Sequence, residues 1–119
     1  MSRGGSRIRR VNESLREVIA GEILLLKDPG LGFVTVTGVA VTPDLRAARI
    51  YYSVLGDDEE KKATQAALDR AAPRIQRAVG REIRMKFNPI LEFVFDESVE
   101  RGLRMDKLLH EIAQAETDE

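Results

Sequence analysis

At 119 residues the chain has the length of one domain, which commonly runs about 100–150 residues. It is 43% hydrophobic and 33% charged and has no cysteine, which excludes a disulfide scaffold and a thiolate metal site. No apolar run reaches the ~20 residues of a membrane span, and the opening "MSRGGSRIRR" lacks the apolar centre of a signal peptide, so the expected location is cytoplasmic, with no membrane partner.

The first expected element is a helix from Arg7 to Leu26. Ile8, Val11, Leu15, Val18, Ile19 and Leu26 recur at steps near the helical period, and "KDPG" ends the pattern. "FVTVTGVAVT" (33–42) alternates as a strand and slips phase at Gly38, which predicts a bulge there. "TPDL" (42–45) is a turn. "AARIYYSVLG" (47–56) is a second strand, antiparallel to the first, with Tyr51 and Tyr52 on opposite faces.

Asp57 or Asp58 caps the next helix, which runs to Ala72. Pro73 lacks an N–H donor and disfavours helical geometry at Ala72, so a break at Ala71, Ala72 and Pro73 should separate this helix from another starting at Arg74. "PILEFVFD" (89–96) is a third strand. Val99, Leu103, Leu108, Leu109 and Ile112 suggest a weaker last helix, and the polar, acidic chain from Gln114 onward is expected to be disordered. These elements give an α+β domain of order α-β-β-α-kink-α-β. The divisions are a basic flexible start (1–6), a folded domain (7–96) and a helical segment with an acidic tail (97–119).

The net charge of -1 conceals an uneven distribution. Arg3, Arg7, Arg9 and Arg10 crowd the start with no acid among them. Arg70, Arg74, Arg77, Arg81 and Arg84 follow at alternating steps of four and three, with Lys86 behind them. On a helix, Leu68, Ala72, Ile75 and Val79 face one way, and Arg70, Arg74, Arg77 and Arg81 face the other. Like charges at this spacing destabilise a helix slightly. A solvated surface would serve as well with lysines and interleaved acids, whereas arginine's planar fork suits phosphate. The stripe together with the basic start is therefore the expected RNA-binding face. The alternative is a KH-like interaction module that meets an acidic protein surface.

Two helices at a tight break, after two strands and before a third, form the arrangement of type II KH domains. Their Gly-x-x-Gly loop clamps the nucleic-acid backbone. Here "RAAP" (70–73) stands in its place. With "VTPDL", "YYSVLG", "RAVGREIRMK", "NPILEFVFDES" and "ERGLRMDKLL", the chain resembles the ribosome-binding factor A family from about Arg7 to Ile112. Ala71 takes the place of the alanine at that family's helical break, and Gly80 that of the glycine in the following helix. Asp44 matches the turn, and Pro89, Leu91, Phe93 and Asp96 the third-strand motif. Pro73 departs from the usual glycine, Arg74 from an aromatic, and Ile90 from an acid.

The resemblance implies a non-catalytic assembly factor without a cofactor, acting as a monomer. Such a factor binds the free 30S ribosomal subunit through 16S rRNA near its 5′-terminal helix and is absent from translating ribosomes. It also implies help in late maturation, including processing of the 16S 5′ end, and a link to growth in the cold.

The residues themselves suggest no competing chemistry. His110 is the sole histidine and has no ligating companion. Asp57–Glu60 read as a helix start. Asp44, Glu92, Asp96 and Glu97 are carboxylates without a partnered nucleophile, and no phosphate-cradling glycine loop precedes a helix.

Overall fold

The computed structural model describes residues 2–85 and 88–117. Its elements are α1 (Ser2–Leu24), β1 (Val34–Val41), β2 (Ala47–Val54), α2 (Asp58–Glu82), β3 (Ile90–Phe95) and α3 (Glu97–Thr117). The sheet has the order β1-β2-β3. β2 pairs antiparallel with β1 and parallel with β3.

Period-two alternation decides which sheet face is covered. Ala48, Ile50, Tyr52 and Val54 of β2 are buried, while Arg49 on the other face is exposed and Tyr51 and Ser53 are half-buried. The expected bulge is present. The β1–β2 register shifts between Val36 and Gly38, and the extra residue, Thr37, donates its hydroxyl to Asp96 Oδ2 at 2.7 Å. α1 contributes Leu15, Ile19 and Ile23, spaced one helical turn apart, and α2 contributes Leu68, Ile75 and Val79. Both helices thus cover one face of the sheet, and the core lies between.

α1 opens at Ser2, ahead of the expected start at Arg7, so its helix runs through a segment expected to be flexible. Adding turns to an established helix costs far less than nucleating one.

The start of α2 follows its sequence. Asp57 accepts the Glu60 N–H at 2.8 Å, and Asp58, Glu59 and Glu60 fill a first turn where the helix dipole favours negative charge.

The expected division at Ala71–Pro73 is corrected: residues 58–82 form one helix with Pro73 in its interior. Proline withholds the N–H that would meet the Asp69 carbonyl and crowds that carbonyl with its ring. Leu68 before it and Ile75 after it are both fully buried in the same core, so packing on either side holds the helical course through it.

α3 is longer than its weak pattern suggested and continues to Thr117, through residues expected to be disordered. Asp96 starts it. Its Oδ1 accepts the Ser98 N–H at 2.9 Å and the Ser98 hydroxyl at 2.5 Å, while its other oxygen holds Thr37.

Candidate nucleic-acid interface

The arginine stripe stands where helical geometry put it. Arg70, Arg74, Arg77 and Arg81 are exposed, on the side of α2 away from Leu68, Ile75, Ala78 and Val79, and Arg84 is exposed in the extended chain that follows the C-cap at Ile83, outside the helix that was expected to carry it. Arg7, Arg9 and Arg10 are exposed on α1. Lys86 and the side chain of Arg3 lie outside the described residues.

The stripe is not uniform. Arg70 donates to Asp28 through Nε at 3.0 Å and Nη2 at 2.9 Å. Arg74 lies 3.9 Å from Glu22. Neither acid is near in sequence; α1 and the turn after it deliver both. By contrast, Arg77, Arg81 and Arg84 make no ion pair among the described residues, and the same holds for Arg7, Arg9 and Arg10. The cationic face therefore has a neutralised end at Arg70–Arg74 and an open end from Arg77 onward.

The expected break residues Ala71 and Ala72 are half-buried and Pro73 is exposed. Ala71 shares a shallow hollow with Leu26, Lys27, Asp28, Pro29, Arg70 and Arg74. At the C-terminal end of α2, Arg7 and Arg84 stand over a second hollow with Val11, Leu45, Gly80, Ile83 and Met85. Gly80 allows a close approach there. A Cβ would sit 2.9 Å from Asn88 Nδ2, the atom that donates to the Gln76 carbonyl at 3.2 Å and ties the chain before β3 to α2.

The electrostatics follow these bonds. The Arg70 guanidinium and then the Gly30 N–H hold the Asp28 carboxyl below its ordinary value of 3.8, and Asp28 in turn raises Arg70. The Thr42 hydroxyl and Arg46 N–H lower Asp44. Ser98 and Thr37 lower Asp96. Burial, reinforced by Asp69, raises Tyr52, whose hydroxyl donates to Gln65 Oε1.

Asp28 and Glu22 as partners of the stripe, and Leu45 as part of the second hollow, were not legible beforehand. The one local signal was "DPG", whose aspartate can bond the glycine N–H two residues on, as Asp28 does to Gly30 at 2.9 Å. Among the described residues no three His, Asp or Glu side chains gather as metal ligands, and no helix is long and apolar enough to cross a membrane.

Two helices on one face of a bulged three-stranded sheet, with β3 parallel to β2 after the long α2, define a KH-like α+β domain. The family model "Ribosome-binding factor A" matches residues 7–109, and the chain belongs to that family. It is 45% identical over 108 residues to ribosome-binding factor A of Geobacter sulfurreducens, covering 90% of this chain and 92% of that one. The Geobacter metallireducens protein of the same name is 46% identical over the same shares. The crystal structure of ribosome-binding factor A from Thermus thermophilus superposes with a TM-score of 0.67 at 30% identity, covering 74% of this chain and 93% of that chain. A homology model of the Thermus thermophilus protein, as fitted into the cryo-EM map of a 30S complex with ribosome-binding factor A, matches with a TM-score of 0.60 at 31% identity, covering 72% of this chain and 91% of that chain.

Proposed function

We propose that this protein is a non-catalytic assembly factor of the cytoplasm that binds the free small (30S) ribosomal subunit through 16S rRNA, near its 5′-terminal helix, and assists late maturation, including processing of the 16S 5′ end. It works as a monomer and leaves before translation. The observation that carries this reading is the open cationic end: Arg77 and Arg81 on α2 and Arg84 in the chain just after it, with Arg7 beside Arg84, exposed and without acidic partners among the described residues. Unpaired guanidinium groups held on and just beyond a packed helix suit phosphates fixed in a folded RNA. Arg9 and Arg10 extend the face, with Arg3 and Lys86 as further contacts. Arg70 and Arg74 act in it only as their pairs with Asp28 and Glu22 permit.

Counterion release makes such binding steeply salt-dependent, by about 0.7–0.9 in logarithmic slope per phosphate neutralised. The test is co-sedimentation with isolated small subunits, large subunits and whole ribosomes at two salt concentrations, for the parent and for Arg77→Glu, Arg81→Glu. The parent is expected to pellet with small subunits alone, and the folded double variant to bind weakly with a flatter slope. Equal binding with an unchanged slope removes this face from the function.

A further inference from the structure

The hollow between Arg7 and Arg84 has a construction the phosphate-binding reading does not use. Three parts of the fold meet there: α1 through Arg7 and Val11, the β1–β2 turn through Leu45, and the end of α2 with the residues after it through Gly80, Ile83, Arg84 and Met85. Its volume is about 570 Å³, within the range of small-molecule sites. Among the described residues the lining holds two guanidinium groups, four apolar side chains and no carboxylate. A solvated gap between helix ends needs neither the apolar walls nor the unopposed cations.

Leu45 supplies a second and independent observation. Among the described residues it is the one non-glycine with positive φ, at 61°. A bulky side chain rarely takes this conformation, and glycine or asparagine would take it without strain. The turn enforces it: Leu45 N–H donates to the Thr42 carbonyl at 2.8 Å, and Asp44 Oδ1 accepts the Thr42 hydroxyl at 2.6 Å and the Arg46 N–H at 3.1 Å. The strained residue is a leucine, and it stands in the wall of the hollow. Backbone strain of this kind gathers at ligand sites.

Resting on the RNA-binding reading above, we infer that this hollow receives one unstacked nucleobase of a single-stranded RNA segment. The base lies against Val11, Leu45, Ile83 and Met85, while Arg7 and Arg84 take its flanking phosphates or stack on its face. Unpaired bases splayed onto arginine planes and apolar surface are a usual mode of RNA recognition. The hollow is at the C-terminal end of α2, beyond "RAAP" in the helix middle, so it adds a base contact to a face that otherwise meets phosphate.

The test uses the full chain and a fluorescent eight-nucleotide single-stranded RNA, compared by anisotropy with versions carrying an abasic ribose at each position in turn. Stacking predicts that an abasic substitution weakens binding by about five-fold or more. Val11→Trp, whose indole fills the hollow, is expected to erase that penalty. Arg84→Ala, an exposed change that leaves the walls intact, is expected to shrink it and flatten the salt slope. Absence of any penalty in the parent overturns the inference, as does a penalty unchanged in both variants, or in Arg84→Ala alone should Val11→Trp not fold. A steep salt slope without a penalty leaves the phosphate-binding reading standing. No binding of the RNA, with capture of polyglutamate instead, removes both.

Discussion

Arg70 and Asp28 are joined by two hydrogen bonds, Nε to Oδ2 at 3.0 Å and Nη2 to Oδ1 at 2.9 Å, which clamp the middle of α2 to the turn that follows α1. The same carboxylate accepts the Gly30 N–H. The pair therefore fixes a turn as well as two charges, and Arg70 is less available to a phosphate than its place in the stripe suggests. Arg70→Ala should lower the urea midpoint by a small amount and Asp28→Ala by more, because it also removes the bond to the Gly30 N–H. The double variant should be no worse than Asp28→Ala alone, because the pair acts as a unit. In subunit binding, Arg70→Ala should flatten the salt slope by less than Arg77→Ala or Arg81→Ala, each of which should remove about 0.7–0.9 of a unit.

Acid should weaken the fold through the same bond. Asp28, Asp44 and Asp96 are all held below the ordinary carboxylate value of 3.8. The unfolded chain therefore takes up protons first as pH falls, and the stability these groups contribute is present above that value and lost as pH drops through their lowered folded values. The melting temperature, followed against pH, should be level from neutrality to about pH 5 and fall below about pH 4. Asp28→Asn should flatten the acid limb. Tyr52 acts in the opposite range. Its raised folded value leaves stability intact below 10.0 and reduces it as pH rises beyond, an effect that Tyr52→Phe should remove.

Legibility in the sequence followed the range of each interaction. Alternation along β2 identified the buried set Ala48, Ile50, Tyr52 and Val54, and the phase slip at Gly38 located a real bulge. The cap at Asp57 is equally local. Pro73 misled because a local breaker was weighed without the burial of Leu68 and Ile75 on either side of it. The division of the arginine stripe was hidden for a related reason. Asp28 is 42 positions from Arg70, and only the opposed course of α1 and α2 brings them together. Leu45's conformation depends on the whole turn closing, and "TPDL" as a turn signal says nothing about which residue takes positive φ.

Pro73 gives a direct measure of how strongly packing overrides that breaker. Pro73→Ala restores an N–H that can bond the Asp69 carbonyl and also loosens the unfolded chain, two effects of opposite sign. An interior proline costs roughly 3 kcal/mol and its removal forfeits about 0.4–1 kcal/mol of unfolded-state restriction. The variant is therefore expected to be more stable by about 2–2.6 kcal/mol in urea denaturation. Ile75→Ala, one turn inside the core, should lose about 2–5 kcal/mol in the same measurement.

α3 tests where the folded unit ends. None of its described residues belongs to the buried core. Its apolar stripe is open, with Met105 at 55%, Leu108 at 50%, Leu109 at 57% and Ile112 at 48% exposure. Its first turn is joined to the domain where Asp96 accepts from Thr37 on one oxygen and from Ser98 on the other. Removing residues 101–119 leaves that junction in place and takes away no described residue of the buried core, so the stability measured in urea should change by about 0.5 kcal/mol or less. Asp96→Ala in the full chain should cost more, about 1 kcal/mol, since it removes both the helix cap and the bond to the bulge residue Thr37. A truncated chain less stable than Asp96→Ala means that α3 packs against the domain in solution. The expected order, with truncation the milder change, places the boundary of the cooperative unit at the start of α3.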